Sequence, residues 1–192
     1  MGEYAELIGR LTSLDENSCE AEAIALGQTG EAGLPLMAQL LQTDETDARF
    51  WAVRALWANG SSRAVGLLVE ALQDKEEMVR SGAALALGEL QAEAAVKALT
   101  RLVSHNPDSS GDHAADALAK IGQPAAEALI EAMNSEHSWT RRRAAKALIP
   151  VESKQAIPVL FEALEDESYM VRHYAEEALA RMGVGQMVYF TL

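Results

Sequence analysis

Residues 78–102 read MVRSGAALALGELQAEAAVKALTRL. The pattern is a helix, a tight turn and a second helix, and versions of it recur along almost the whole chain. The register is set by an Ala-Leu pair at Ala25-Leu26, Ala55-Leu56, Ala86-Leu87, Ala117-Leu118, Ala147-Leu148 and Ala178-Leu179, with steps of 30 or 31 residues. A fixed period in this range is the signature of stacked structural repeats, in which no unit buries its apolar face alone. Three residues before the pair stands an alanine column, Ala52, Ala83, Ala114, Ala144 and Ala175, with Glu22 in the first repeat. Small residues one turn apart on one face let two helices approach closely.

The second helix of each repeat carries its own stripe. Leu41, Leu72, Val103, Met133 and Leu164 form one column, and Met37, Leu68, Leu99, Leu129 and Leu160 stand four residues earlier. Such spacing makes a one-sided apolar face. Gly30, Gly60, Gly122 and Gly183 follow the paired leucine by four residues and supply the left-handed conformation that ends a helix. Pro35, Pro124 and Pro158 fall in the first turn of second helices, where a missing N–H is tolerated. A polar column runs through Arg49, Arg80, Arg141 and Arg172, and Asp74 and Asp166 precede their arginines by six residues.

With Asp74, Val79-Arg80, Ala83-Ala84 and Ala86-Leu87-Gly88, and again with Asp166, Val171-Arg172, Ala175 and Ala178-Leu179, the chain resembles the HEAT-like repeats. The match is best to the short subclass named after the phycobilisome lyases, and it spans residues 18–182. The resemblance implies an all-α, right-handed α-α superhelix, a solenoid of about five helix pairs plus capping helices, about 12 helices in all. It also implies that Asp and Arg form a structural ladder between repeats and that second helices line a concave groove.

The whole chain, 1–192, reads as one such solenoid: a cap helix in 1–15, five helix pairs in 18–165, a last helix in 168–182 and an apolar tail in 183–192. First helices are expected near 18–27, 47–59, 78–89, 111–121 and 139–149, second helices near 33–42, 63–73, 93–104, 124–134 and 155–165. Two places depart from the pattern. Gly111 stands where the arginine column predicts Arg, beside the polar loop 105–110, which marks a weakened joint. Pro150 replaces the glycine ending with a proline stop. The tail, GVGQMVYFTL, is either a lid over the open end of the stack or a segment that docks on a partner.

Composition excludes several classes. Hydrophobic residues make up 49% of the 192 and aromatics 5%, so the core is built of Ala and Leu. A net charge of −13 opposes binding to nucleic acid or to an anionic membrane. It either keeps an alanine-rich stack soluble or steers in a basic partner. Cys19, the one cysteine, sits in the arginine column, cannot form an internal disulfide and suits a cytoplasmic setting. No span is long and apolar enough for a bilayer. His105, His113, His137 and His173 are not followed by Glu and lack metal-ligand spacing, and no nucleophile elbow or phosphate-cradling loop is present. No catalytic residue, metal or cofactor is expected, and the chain reads as a binding module rather than an enzyme.

The candidate site is therefore surface. The second helices present Gln39, Glu70, Arg101, Glu131 and Glu162, with Gln42, Gln73, Ser104, Asn134 and Glu165 three residues on, a mostly acidic strip. Phe50, Trp51, Arg54 and Trp57 crowd one first helix, either as interface anchors or as filling among alanines. Trp139, Arg141, Arg142, Arg143 and Lys146 form the one basic cluster, able to grip a partner's carboxylates or to pair with nearby acids. The leading expectation is a non-enzymatic scaffold or adaptor for a protein partner, in a hetero- or homodimer. The alternative, implied by the resemblance, is a phycobilin lyase subunit that handles an open-chain tetrapyrrole and a phycobiliprotein. There the basic cluster would hold the pigment's propionates and a Trp would stack on its rings.

Overall fold

The structure, a computed structural model, describes residues 2–12 and 15–184; most of the expected apolar tail, from 185 on, lies outside the described residues. Twelve α-helices and no strand occur among the described residues. They are α1 (Gly2–Leu11), α2 (Glu16–Gln28), α3 (Leu34–Leu40), α4 (Thr46–Asn59), α5 (Ser62–Ala71) and α6 (Glu77–Glu89), then α7 (Val96–His105), α8 (Ser109–Ile121), α9 (Ala126–Ala132), α10 (Ser138–Val151), α11 (Ile157–Glu162) and α12 (Tyr169–Arg181). All the second helices except α5 enter through a short 3₁₀ turn.

The chain packs as two compact units, Met1–Leu90 and Gln91–Leu192, where the sequence reads as one array. In the first, the first helices α2, α4 and α6 pack in chain order, with α3 laid on α4 and α5 on α6. In the second, α8, α10 and α12 do the same, with α7 on α8, α9 on α10 and α11 on α12. The columns explain this arrangement. Met37, Leu68, Leu99, Leu129 and Leu160 are all fully buried. The Ala-Leu pairs of the second to sixth repeats are at most 2% exposed. Burying one such leucine contributes about 2 kcal/mol, which a short helix alone could not gain. At Gly27 even a methyl group would run into the carbonyl of Ala55, so glycine lets α2 and α4 meet backbone to backbone.

The helix ends follow the glycine column and then exceed it. Gly30, Gly60, Gly122 and Gly183 all have positive φ, as expected. The two repeats lacking glycine there keep the same turn: Gln91 has φ 47° and Glu152 has φ 51°. Pro150 therefore does not stop its helix. α10 runs on to Val151, and the left-handed Glu152 ends it, its N–H donating to the Leu148 carbonyl at 3.2 Å.

The ladder is built from arginines that bind backbone and carboxylate at once. Arg49, 3% exposed, donates Nη1 to the carbonyls of Thr43 and Asp44 and forks onto Asp74 through Nε (2.8 Å) and Nη2 (3.0 Å). Arg141 repeats this on Ser135, Glu136 and Asp166, its Nε 2.7 Å from the carboxylate. Each aspartate also accepts an N–H at the start of the next first helix, from Glu76 and from Ser168, both at 2.8 Å. Cys19, 1% exposed in the same column, directs Sγ at the Arg10 carbonyl (3.2 Å), a shorter version of the arginine's task.

The joint at 104–112 is not left open by Gly111. Arg143 reaches in from α10, 1% exposed, and donates to the carbonyls of Asn106 (2.6 Å) and Asp108 (2.6 Å) and to Asp112 (2.9 Å). A Cβ at Gly111 would collide with this guanidinium. The weakened joint expected from the sequence is thus corrected: a different arginine supplies the missing rung, and only glycine leaves it room.

Candidate functional site

Three of the expected surface features can be placed side chain by side chain. The strip on the second helices is where the stripe puts it. Gln39, Gln42, Glu70 and Gln73 are exposed in the first unit. In the second, Arg101, Glu131, Asn134, Glu162 and Glu165 are exposed and Ser104 is half-buried. Phe161 adds an exposed aromatic face beside Glu162. Arg101 is the one cation among the ten, on α7.

The aromatic group on α4 is half-buried rather than free. Phe50 and Trp51 meet edge to face at 5.2 Å. Phe50 also covers Gly82 of α6, its ring 3.4 Å from where a Cβ would stand. Arg54 lies over the Trp57 ring at 4.6 Å and donates to Glu20 at 2.9 Å. The cation is shared between an aromatic face and a carboxylate, so it holds the half-buried Trp57 in place.

The basic cluster on α10 is spent within the chain. Arg141 is committed to Asp166. Arg142 and Arg143 both donate to Asp112, at 2.8 and 2.9 Å, and Lys146 donates to Asp116 at 2.9 Å. Arg143 is buried and belongs to the fold, not to a surface patch. Trp139 stacks on His137 at 4.1 Å, nearly parallel, and its Nε1 has no acceptor among the described residues.

The electrostatics follow from these bonds. The Arg141 guanidinium, bonded to Asp166, holds that carboxyl below the usual carboxylate range, against burial. Burial pushes the Asp74 and Asp112 carboxyls up, but bonds from Arg49 and Arg143 outweigh it, and both titrate below the ordinary range. None of these groups is poised near neutral pH as a general acid or base would be. Sequence reasoning missed Glu20, Asp112 and Asp116. The available signal was spacing: each acid stands 30 to 34 residues before its cation, one repeat earlier on the same helix face.

A concavity of about 590 Å³ opens in the first unit between α1, α2 and α3, and Gln39 of the strip is on its edge. No helix among the described residues is long and apolar enough to cross a membrane.

Comparison with known proteins places this geometry. The profile of the family described as HEAT repeats matches residues 33–119 and 126–186. That of the PBS lyase HEAT-like repeat matches residues 112–135. A phycobilisome maturation protein of Synechococcus elongatus is 32% identical over 115 residues, which are 59% of this chain and 55% of that protein. The chain thus spans about half the length of this curated relative. Among solved structures, the archaeal HEAT-like repeats protein from Thermococcus onnurineus NA1 is similar with a TM-score of 0.61 at 17% identity, covering 93% of this chain and 80% of that one. The complex of CpcE and CpcF of phycocyanin lyase from Nostoc sp. is similar with a TM-score of 0.53 at 22% identity, covering 94% and 77%. At these identities the structural likeness speaks for the fold alone.

Proposed function

Because the chain belongs to the HEAT repeats family, we propose that it acts in phycobilisome maturation as a helical-repeat subunit related to the phycobilin lyases. The observation that carries this is the 32% identity with the phycobilisome maturation protein, joined by the PBS lyase HEAT-like repeat at 112–135. Composition and surface alone favour a scaffold without chemistry, and the relative moves the weight to the lyase-related role. The two readings share one physical core. A stack of helix pairs offers a long open surface suited to a protein ligand, here a phycobiliprotein, with a second helical-repeat subunit as companion.

The placement of the cations changes how a pigment would be held. The α10 arginines are engaged by Asp112 and Asp166 and are not free to meet propionates. Arg101, exposed on α7, is the better candidate for a carboxylate contact, and Trp139, in the same unit, for stacking on a ring. The test is titration of the purified protein with phycocyanobilin, following visible absorption and Trp fluorescence. The expected result is a change in the pigment's absorption, with quenched fluorescence, that Arg101→Glu weakens. An unchanged spectrum at saturating protein would end the pigment part of the reading. Failure to form a complex with an apo-phycobiliprotein, with or without pigment, would end the whole of it.

A further inference from the structure

The outer face of the first helices is charged in most repeats and apolar at one seam. In the register of the repeats, the position of Phe50 is held by Glu20, Ser81, Asp112, Arg142 and His173. That of Leu85 is held by Arg54, Asp116, Lys146 and Glu177, with Ile24 in the first repeat. These two columns supply the ion pairs Glu20–Arg54, Asp112–Arg142 and Asp116–Lys146 that join neighbouring first helices. Between α4 and α6 the same columns bring Phe50 and Leu85. The large apolar side chains left exposed among the described residues are Met78, Leu85, Phe161 and Tyr169, and the first two stand on α6. Gly82 lies four residues after Met78 and three before Leu85, so all three share one face of the helix. Phe50, half-buried on α4, floors the notch between them. The glycine is not demanded by the fold. A Cβ there would stand 3.4 Å from the Phe50 ring and 3.5 Å from Val53, ordinary contacts, whereas at Gly27 and Gly111 it would collide. Glycine inside a helix weakens it relative to alanine, so the fold gains nothing from bare backbone here.

We infer that this notch docks a partner protein through apolar side chains flanked by Lys or Arg. A contiguous exposed apolar patch with a polar rim marks an interaction surface, and the rim here is acidic. Exposed Asp47, Glu76 and Glu77 stand at the helix starts toward Met78, and Glu89 one turn beyond Leu85, against Lys75. The nearby arginines are engaged, Arg54 with Glu20 and Arg80 with the carbonyls of Asp74 and Lys75. Such a rim selects the sign of the flanking charges and repels nucleic acid and anionic lipid. It also opposes a second copy of this chain, whose net charge is −13 and whose α10 cations are already paired. The inference does not depend on the proposed role in pigment handling and can fail without it.

The experiment uses the full chain, isotope-labelled at the methionine methyls, with the Met78 signal assigned by its loss in Met78→Leu. The probe is the peptide Lys-Lys-Leu-Leu-Lys-Lys at physiological salt, with Glu-Glu-Leu-Leu-Glu-Glu and oligolysine as controls. The Met78 signal should shift saturably with the first and hardly at all with the controls. Leu85→Lys, which puts back a cation of the kind this column carries elsewhere, should raise the dissociation constant roughly tenfold. Phe161→Lys, the same charge change at an exposed position of the other unit, should alter it less than about twofold. Gly82→Ala should keep or raise helicity and weaken binding about threefold or more, because its methyl fills the notch. No saturable shift, an equal response to oligolysine, equal loss in the two lysine variants, or undiminished binding by Gly82→Ala would overturn the inference. So would sedimentation showing a dimer that Leu85→Lys splits, since the occupant would then be a second copy. Circular dichroism of each variant separates lost binding from lost fold.

Discussion

Arg143 and Gly111 act as one device. An arginine at 111 would match the column of Arg49, Arg80, Arg141 and Arg172, each of which binds two carbonyls of the preceding loop. Arg143 does this from the neighbouring repeat instead. Arg143→Ala should cost about 3–5 kcal/mol, since it strands buried carbonyls and Asp112, and should speed hydrogen exchange at 104–112. Gly111→Arg alone should also destabilise, by collision. The double variant should be more stable than either single one, because the column arginine then has both space and a task. A denaturation cycle showing additive losses would refute the exchange of roles. Asp166 is the second residue-scale case. Its folded carboxyl titrates below its unfolded value of about 3.9. A depressed pKa gives stability that is fully present above the unfolded value and is lost as pH falls through the folded one. Asp166→Asn should therefore cost about 2–4 kcal/mol at pH 7 and flatten the melting temperature's dependence on pH below about 4. The arginine column was legible in the sequence because it repeats. Arg143 was not, because its partners lie 31 to 40 residues away and it reads as one of three consecutive arginines.

At the level of elements the reading was close. For the helix pairs and the last helix, the expected positions agree with the observed ones to within three residues when the leading 3₁₀ turns are counted with the second helices. Period and stripe set them, and both are properties of sequence alone. Turn chemistry was less visible. Glycine marks a left-handed turn, but Gln91 and Glu152 hold the same turn without it, and only the register, four residues after a paired leucine, betrays them. Holding an ordinary residue there costs about 1–2 kcal/mol, partly offset by the freedom glycine adds to the unfolded chain. Gln91→Gly should thus raise stability by about 0.5–1 kcal/mol, although it gives up an exposed bond to the Lys120 carbonyl. Chemical denaturation that placed the variant below the parent would mean the strain is relieved by other means. The candidate site was half legible. Pattern located the exposed strip, but whether a surface cation is free or paired depends on side chains one repeat away, and that hid the loss of the α10 cluster to Asp112, Asp116 and Asp166.

For the molecule as a whole, the question is how stability is shared along the chain. In stacked repeats each unit draws on its own packing and its immediate neighbours. The unit Gln91–Leu192 contains the Arg143 clamp, the Arg141–Asp166 fork and the pairs Arg142–Asp112 and Lys146–Asp116. The unit Met1–Leu90 contains one bidentate carboxylate fork, Arg49–Asp74, with the pairs Arg54–Glu20, Arg10–Glu22 and Arg63–Glu31. It has no counterpart of the Arg143 clamp among the described residues and leaves its first Ala-Leu pair uncovered. Local opening should therefore start in the first unit, since regions with fewer buried contacts open at lower free energy. Native-state hydrogen exchange of the full chain should show amides of α1 and α2 exchanging at lower protection than those of α8 and α10. A fragment of residues 91–192 expressed alone should be helical and melt cooperatively. The fragment 1–90 should melt at lower temperature and gain more from any ligand that docks on it, because binding to the folded form alone adds stability with ligand concentration. If the two fragments melted in the opposite order, the clamp and forks of the second unit would not be what holds it. Its advantage would then have to be sought in the leucine columns, where Leu99→Ala, at a fully buried position, should cost about 2–5 kcal/mol.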